Sequence, residues 1–493
     1  MNGFSEKPAD VDVAIIGAGI SGINSAYRVQ TQCPPGTTYT ILEGRGQLGG
    51  TWDFFKYPGL RSDSDLHTFG FAWRPWGQSK AIAPAPMILE YLNKCVAETG
   101  IDKNIKYNHK VTAAEWSSET CKWTLDIEEN GFQSTMTARW IILGTGYYNY
   151  EEPMEAVIPG LENFKGKVVH PQFWPEDMDY SGKKMVIIGS GATAITILPV
   201  VAQSVKHVTM LQRSPGYVMT LPSQDHISKL YHWFLPSAWA YKLDRVRAMC
   251  VGYFFFYLCR AYPKVGRVIL ERLTKAQLPA NIPFDPHFKP SYNPWEQRLC
   301  VSPDGDYFKA FRSGKADIAT GHIKTITDRE IVLKSGQKLS DVDIIVTATG
   351  LKLHLAGGIK FTVDGEQVNI PDKFLWKGVM LQDMPNIAVV IGYTNASWTL
   401  GADATAQLLT RLMNNMHAKG YQAAIPRAEN PNMETAPMLN LNSTYISTAI
   451  NKMPKTGSEG QWKARTNYFT DISEAKKGDI TSSLQFLKGG NKQ

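Results

Sequence analysis

The most informative segment of the chain for its fold is VDVAIIGAGISGINSAYRVQ, residues 11–30. It begins with an apolar, β-branched run, continues through Gly17-x-Gly19-x-x-Gly22, and ends with apolar residues at helical spacing. Glycines at this spacing allow a tight turn, close approach of the backbone to a diphosphate, and close packing of helix on strand. The first turn of the helix then offers unpaired N–H groups to an anion. The stretch therefore predicts a domain that binds a dinucleotide.

An acidic residue at the expected distance strengthens this prediction. Glu43 lies 21 residues beyond Gly22, at the end of the strand pattern TYTILE. A carboxylate at this position can accept hydrogen bonds from ribose hydroxyls. The strand, the glycines, the helix and the spaced acid together are a far more specific signal than the glycines alone.

A second unit of the same form begins at residue 183, with Gly189-x-Gly191-x-x-Ala194 between a strand pattern and a helix pattern. The strand that should end in an acid reads HVTMLQRS, which places Arg213 and Ser214 there. Because arginine offers a bidentate cationic fork to a phosphate, this unit predicts binding of a 2′-phosphate, and so of NADPH rather than NADH. An ordinary surface arginine is the alternative.

Two nucleotide sites in one chain indicate a flavin that is reduced by a nicotinamide. We expect an α/β fold with two dinucleotide-binding, Rossmann-like domains and a helical insertion in the NADP domain. The polar tail after Lys476 is expected to fray. The expected division is an FAD-binding domain at 1–150 and 381–493, an NADP-binding domain at 151–220 and 298–380, and the helical insertion at 221–297.

The composition narrows the class of protein. The chain has 493 residues and a net charge of only +7, so a nucleic-acid partner is not expected. Six scattered cysteines without a CxxC pair predict neither a disulfide framework nor a metal site. The first ten residues contain no apolar signal segment, and the longest apolar run, residues 248–259, is too short to span a bilayer. We expect a cytoplasmic protein with some affinity for a membrane surface.

The flavin could pass its electrons to a disulfide, to a quinone or partner protein, or to oxygen. After Glu43 the chain reads GQLGGTWDFF, with no cysteine before Cys95, which disfavours a disulfide reductase. A flavin-dependent reductase, an oxygenase, and a protein that only binds FAD and NADP stay open on the residues alone.

The segment between the two units, FKGKVVHPQFWPE at residues 164–176, carries a spaced pattern. Its anchors are Phe164, Gly166, His170 and Trp174, followed by Pro175. This pattern resembles the fingerprint FxGxxxHxxxWP of the Baeyer–Villiger monooxygenases, whereas the sister flavin-containing monooxygenases usually end it in Tyr or Phe. The segment GGTWDFFKYPGLRSDSD at 49–65 resembles the flavin-facing loop of this family. The segment YNPWEQRLC at 292–300 is similar to the subgroup typified by the mycobacterial monooxygenase that activates ethionamide.

The resemblance implies an enzyme with FAD and NADPH as cofactors and molecular oxygen as co-substrate. Such enzymes convert ketones to esters or lactones through a C4a-peroxyflavin, and members of this subgroup also oxidise sulfides or thioamides. The alternatives are a monooxygenase that acts only on sulfur and nitrogen, and a flavin-dependent NADPH reductase without oxygen insertion.

The resemblance also implies roles for individual residues. Arg298 would be the catalytic cation and Asp63 the carboxylate that orients it, although the residues alone would allow a surface ion-pair residue and a helix cap. His170 is expected to set a hinge rather than to act in chemistry. Gln297 stands where many members carry a lysine, so NADPH preference should depend on Arg213 and Ser214.

The remaining implied positions fall into three groups. Ser21 and Glu43 would hold the flavin diphosphate and ribose, with Val111 at the adenine, and Thr51, Trp52 and Asp53 would line the flavin. Arg61 and Ser62, with Asp63, would meet the nicotinamide half of NADP. The NADP turn would comprise Gly189, Ser190, Gly191, Ala192, Thr193 and Ala194.

Overall fold

The computed structural model describes residues 8–393, 395–430, 432–438 and 448–488. Its strands are β1 (Val11–Ile16), β2 (Tyr39–Leu42), β3 (Ile105–Lys106), β4 (His109–Ser117), β5 (Lys122–Glu129), β6 (Phe132–Leu143), β7 (Lys167–Val169), β8 (Lys184–Ile188), β9 (His207–Gln212), β10 (Val218–Leu221), β11 (Cys300–Pro303), β12 (Ala316–Thr320), β13 (Ile323–Ile326), β14 (Ile331–Leu333), β15 (Lys338–Leu339), β16 (Ile344–Thr347), β17 (Lys360–Val363), β18 (Glu366–Gln367), β19 (Leu375–Trp376), β20 (Met380–Leu381), β21 (Ile387–Val389), β22 (Tyr421–Pro426), β23 (Thr435–Pro437), β24 (Lys455–Gly457) and β25 (Leu484–Lys488).

The α-helices are α1 (Ile20–Gln32), α2 (Thr51–Phe54), α3 (Leu66–Phe69), α4 (Ala85–Thr99), α5 (Ala192–Val201), α6 (His226–Phe234), α7 (Ser237–Ala261), α8 (Pro263–Lys275), α9 (Phe284–His287), α10 (Asp306–Arg312), α11 (Trp398–Lys419) and α12 (Tyr468–Lys477).

The larger sheet contains the first dinucleotide unit. Strands β2, β1, β6 and β21 run parallel, and β4, β5 and β6 form the antiparallel meander that the sequence predicts. Helices α1, α4 and α11 bury apolar side chains against one face of this sheet, among them Ile23, Leu92 and Leu409. A mostly apolar parallel strand such as β1 is stable only when both of its faces are covered.

The smaller sheet contains the second unit. Its five strands run parallel in the order β12-β9-β8-β16-β7. Helices α5 and α10 cover one face, and the antiparallel strands β13, β14 and β15 pack against the other. The prediction of two Rossmann-like units in an α/β fold is confirmed. The fingerprint segment supplies the edge strand β7 and is part of this domain rather than a loose tether.

Two expectations about the later part of the chain are wrong. Residues 298–380 were assigned to the NADP domain, but β17, β18, β19 and β20 belong to the larger sheet, where β17 pairs in parallel with β4. Short alternating strands show in sequence that they pair but not with which sheet, so this boundary had no local signal. The tail after Lys476 does not simply fray, because β25 pairs along its length with β22.

The helical insertion leaves and re-enters the NADP domain at one place. Strand β10 precedes it, β11 follows it, and the two pair in parallel. Helix α7 crosses to the FAD domain, where Arg245 Nη1 donates to the carbonyl oxygens of His67 and Gly70 at 3.1 and 2.7 Å. Among the helices of the described ranges, none combines the length and the apolar composition needed to cross a membrane.

Candidate functional site

A cavity of about 1200 Å³ lies between the two sheets, beyond the carboxyl ends of β1 and β8. Open α/β sheets bind their ligands at such edges. The volume exceeds the roughly 300–1,000 Å³ of a pocket for one small ligand. Its wall contains Gly17, Gly19, Ser21, Glu43, Thr51, Trp52, Arg61, Ser62, Asp63, Val111, His170, Gly189, Ser190, Gly191, Ala192, Thr193, Arg213, Ser214 and Arg298 from the predicted set.

The first glycine turn leaves no room for a side chain at Gly17 or Gly22. Gly17 has φ +100°, and a Cβ there would lie 2.8 Å from the carbonyl oxygen of Gly144. A Cβ on Gly22 would lie 1.9 Å from the carbonyl oxygen of Gly17, so α1 sits directly against the turn. Helix α1 starts after Gly19 without a side-chain cap, which leaves its first N–H groups for a ligand at the cavity edge.

Glu43 is buried at the end of β2 and organises the same turn. Its carboxylate accepts hydrogen bonds from the backbone N–H groups of Ala18 and Arg45, at 2.8 and 3.0 Å. Burial raises the pKa of Glu43, while these hydrogen bonds and the Arg45 charge act in the opposite direction. The carboxylate therefore has a fixed position from which it can also accept from a ribose.

The loop at 49–65 lies between the two domains. A Cβ on Gly59, which has φ +81°, would lie 2.8 Å from the carbonyl oxygen of Thr196 in α5, so this loop packs directly on the NADP domain. Thr51 Oγ1 lies 3.2 Å from the Tyr150 hydroxyl. Asp53 does not line the cavity, because its carboxylate pairs with Arg45 at 2.8 Å.

Asp63 and Arg298 come together in the cavity wall from opposite sides of the helical insertion. Burial raises the pKa of Asp63, and the positive charges of Arg298 and then Arg61 oppose that shift. Arg61 itself pairs with Asp306, Nη1 to Oδ2 at 2.5 Å. Burial also raises the pKa of the nearby Cys300 thiol to about 12, so this cysteine stays protonated and is a poor nucleophile.

The second glycine turn repeats the construction of the first. Gly189 has φ +143°, and a Cβ there would lie 2.2 Å from the carbonyl oxygen of Ala348. Helix α5 begins after Gly191, again without a side-chain cap. At the end of β9, Arg213 and Ser214 line the cavity, and Ser190 Oγ donates to the Ser214 carbonyl oxygen at 3.0 Å. Both turns fit a diphosphate at a helix N-terminus.

Lys324 and Lys334 also line the cavity, and sequence reasoning missed them. They lie on and just after the β13–β14 hairpin. Just before this hairpin, the backbone N–H of Gly321 donates to the carbonyl oxygen of Gln212, the residue that precedes Arg213, at 2.9 Å. Both side chains are exposed, and neither has an ion-pair partner within the described residues. The sequence around a lysine on a short strand does not predict that it lies in a cavity wall, because this position depends on how the hairpin packs.

The fingerprint segment divides its residues between core and cavity. Phe164 and Trp174 are buried on the two faces of the smaller sheet, and a Cβ on Gly166 would lie 2.4 Å from the carbonyl oxygen of Asp343. His170 instead reaches the cavity: its Nδ1 accepts from the backbone N–H of Gln172 at 3.2 Å, and its buried Nε2 has no hydrogen-bond partner in the described part of the chain. Burial lowers the pKa of His170, which favours the neutral ring.

Six predicted positions do not line the cavity. These are Gly22, Asp53, Phe164, Gly166, Trp174 and Ala194. The three aromatic and glycine anchors of the fingerprint and the two helix positions act through packing in this structure, and Asp53 acts through its ion pair.

Comparison with known proteins gives consistent matches. Residues 81–232 match the model of the flavin-binding monooxygenase-like family, and residues 15–82 match an NAD(P)-binding Rossmann-like domain. The chain is 43% identical to the FAD-containing monooxygenase EthA of Mycolicibacterium smegmatis, over 97% of each chain. It is 45% identical to the probable FAD-binding monooxygenase AlmA of Acinetobacter baylyi, over 94% of each chain. A solved steroid monooxygenase bound to NADP superposes with a TM-score of 0.75 at 20% identity, covering 97% of this chain and 100% of that one.

Proposed function

The chain belongs to the flavin-binding monooxygenase family, a family of oxidoreductases, and on that premise we propose that it is a Baeyer–Villiger monooxygenase with FAD and NADPH as cofactors. In the overall reaction, a ketone, O2, NADPH and a proton give an ester or lactone, NADP+ and water. One oxygen atom enters the product beside the carbonyl and the other leaves as water.

One observation carries this proposal: Arg298 and Asp63 line the same cavity as both glycine turns. FAD would lie on the turn of α1 with its ribose at Glu43, and NADPH would lie on the turn of α5 with its 2′-phosphate near Arg213, Lys324 and Lys334. When bound and reduced, the flavin would supply activated oxygen. The residues of the chain would then bind and orient the cofactors and the substrate, and stabilise the charge that develops.

Arg298 suits the charge-stabilising role. Negative charge develops when oxygen attacks a ketone carbonyl, and a positioned cation in a site poor in water stabilises it strongly. Arginine keeps its proton at any working pH. The Asp63 carboxylate would hold the Arg298 guanidinium in place. Among the charges that oppose the effect of burial on the pKa of Asp63, that of Arg298 is the largest.

Sulfides and thioamides form a second proposed substrate class. Oxygen transfer to a soft sulfur atom needs no stabilised carbonyl adduct, so it should depend less on Arg298 than ketone oxidation does. A different activity, NADPH oxidation that only reduces a quinone or protein partner, would need neither residue.

Labelled oxygen separates these activities. The purified holoenzyme is given 18O2, NADPH and a panel of ketones, and the esters are examined by mass spectrometry. We expect one 18O atom in each ester and the other in water. Arg298→Ala should keep NADPH-dependent flavin reduction and lose ester formation, while Arg139→Ala, an exposed arginine outside the cavity, should keep both. Labelled sulfoxide without labelled ester would refute the ketone proposal, whereas full ester yield in Arg298→Ala would remove Arg298 from the mechanism.

A cytoplasmic location and peripheral contact with a membrane are the last parts of the proposal. The reaction consumes NADPH, which cells keep in the cytoplasm. The apolar run at 248–259 lies in α7, whose outward side chains include Phe254 and Tyr257.

A further inference from the structure

Exposed apolar side chains are concentrated on α6, α7 and α8. Of the 21 exposed large apolar residues in the described part of the chain, 15 lie between Ile227 and Leu273. Trp233 is 79% exposed, Phe254 71% and Phe234 67%. Single exposed apolar residues are normal on a protein surface, but a concentration of this kind marks an interaction site.

Helix α7 is apolar on both of its sides. Met249 and Tyr253 face inward and pack with Tyr393, Leu400 and Tyr468. The outward side carries a stripe of exposed apolar residues whose consecutive spacings are four, three, eight and three residues. They are Trp239, Leu243, Val246, Phe254 and Tyr257. The stripe is about 27 Å long at 1.5 Å per residue. An apolar face of a helix is normally covered by other parts of the protein, yet α7 presents this outer stripe to solvent.

The same three helices hold the positive charge of the protein. Residues 226–275 contain nine Lys and Arg against two Asp and Glu, a net charge of +7, which equals that of the whole chain. The rest of the protein is therefore neutral overall. Asp244 is fully buried, and Arg245 points inward to the FAD domain. Six cations of this segment are exposed: Lys229, Lys242, Arg260, Lys264, Arg272 and Lys275.

We propose that the surface formed by α6, α7 and α8 docks on an anionic lipid bilayer, with the outer stripe of α7 at the boundary between headgroups and acyl chains. Trp and Tyr favour this boundary, and Lys and Arg beside an apolar stripe reach the headgroup phosphates. Each cation near an anionic leaflet contributes attraction, which complements the charge of these helices. A second copy of the chain is a poorer occupant, because two such surfaces would bring their positive charges together.

The docked surface is connected to the cavity through the inner side of α7. Tyr253 on the inner side of α7 accepts a hydrogen bond from the backbone N–H of Tyr468 at 2.9 Å and packs with Tyr393, which lines the cavity. Helix α7 thus stands between the bilayer and a wall of the active site. Ketones that partition into membranes would then be delivered next to the site that oxidises them.

This inference rests on the peripheral association proposed above and not on the reaction, so the two can fail separately. The test is flotation of the FAD-loaded enzyme with vesicles of phosphatidylcholine alone and of phosphatidylcholine with phosphatidylglycerol, at low and high salt. We expect binding to the anionic vesicles at low salt, at least about tenfold weaker binding to the neutral ones, and a marked loss at high salt. Absence of binding to anionic vesicles would overturn the inference.

Variants locate the binding surface. Trp239→Glu with Phe254→Glu should abolish flotation, and Lys242→Glu with Arg272→Glu should weaken it at least about tenfold, because both pairs lie on the proposed surface. Phe132→Glu, which alters a 78% exposed aromatic residue in β6 rather than in these helices, should change nothing. Oxidation of a water-soluble ketone should be equal in all of them. If the wild type is instead an oligomer that the Trp239 and Phe254 changes dissociate, this surface joins copies of the chain and the bilayer proposal fails.

Discussion

Replacing Gly22 by alanine should damage FAD binding through a purely steric effect. The new Cβ would lie 1.9 Å from the Gly17 carbonyl oxygen, whereas ordinary contacts begin at 3.4 Å. Since the Cβ is fixed to the backbone of α1 and the oxygen belongs to the backbone of the turn, α1 must move away from the turn by roughly 1.5 Å, the difference between these two distances. Overpacking of this kind costs about 1–3 kcal/mol. The shift also carries the first-turn N–H groups of α1 away from the diphosphate.

The expected loss of FAD affinity follows from those N–H groups. A hydrogen bond to a charged group contributes about 1.5–3 kcal/mol, so losing one weakens binding about tenfold or more. The assay is FAD content and FAD titration of the apoprotein, with thermal unfolding alongside. Gly252→Ala is the matched control: this helical glycine has open space at its Cβ, so alanine should stabilise α7 by up to about 1 kcal/mol and leave FAD unchanged. Equal FAD affinity in Gly22→Ala and the wild type would show that close packing of α1 on the turn is not needed to bind FAD.

Two further predictions concern the cavity. Lys324→Ala with Lys334→Ala should raise the apparent KM for NADPH about tenfold or more and leave the KM for NADH unchanged, since only NADPH carries the 2′-phosphate. The control is Lys338→Ala, because Lys338 pairs with Glu330. Equal effects on the two coenzymes would exclude a phosphate contact. The folded-state pKa of His170 lies below its ordinary 6.5, so the neutral ring stabilises the fold above that pH and this contribution is lost as the pH falls. The Tm of His170→Gln should therefore decline less between about pH 7.5 and 5.5 than the Tm of the wild type. Parallel declines would contradict this prediction.

The glycine turns show how much of the site the sequence could predict. Gly17, Gly19 and Glu43 belong to one continuous strand, turn, helix and strand, and so do Gly189 and Gly191. Local chain geometry brings such residues to one edge of a sheet, which is why their spacing was enough. The cluster of Asp63 and Arg298 came only from family resemblance, because the helical insertion separates them and no spacing rule connects them.

The fingerprint segment needed both sources. Its pattern indicated a structured joint, and Phe164 and Trp174 are indeed buried on either side of the edge strand β7. The expectation that His170 only sets a hinge remains a prediction, although the structure places this residue in the cavity wall and leaves its buried Nε2 without a hydrogen-bond partner in the described residues.

The α/β class, the two dinucleotide units and the residues of both glycine turns could be predicted from the sequence, because strand and helix periodicity and glycine spacing are properties of short continuous segments. Three other features emerge only in the folded chain: β17 to β20 return to the larger sheet, Lys324 and Lys334 line the same cavity as Arg213, and α7 turns an apolar face to solvent. The physical reason is the same in each case: these facts depend on which distant surfaces pack together. The local sequence of a strand, of a lysine or of an apolar helix does not show which distant surface it packs against.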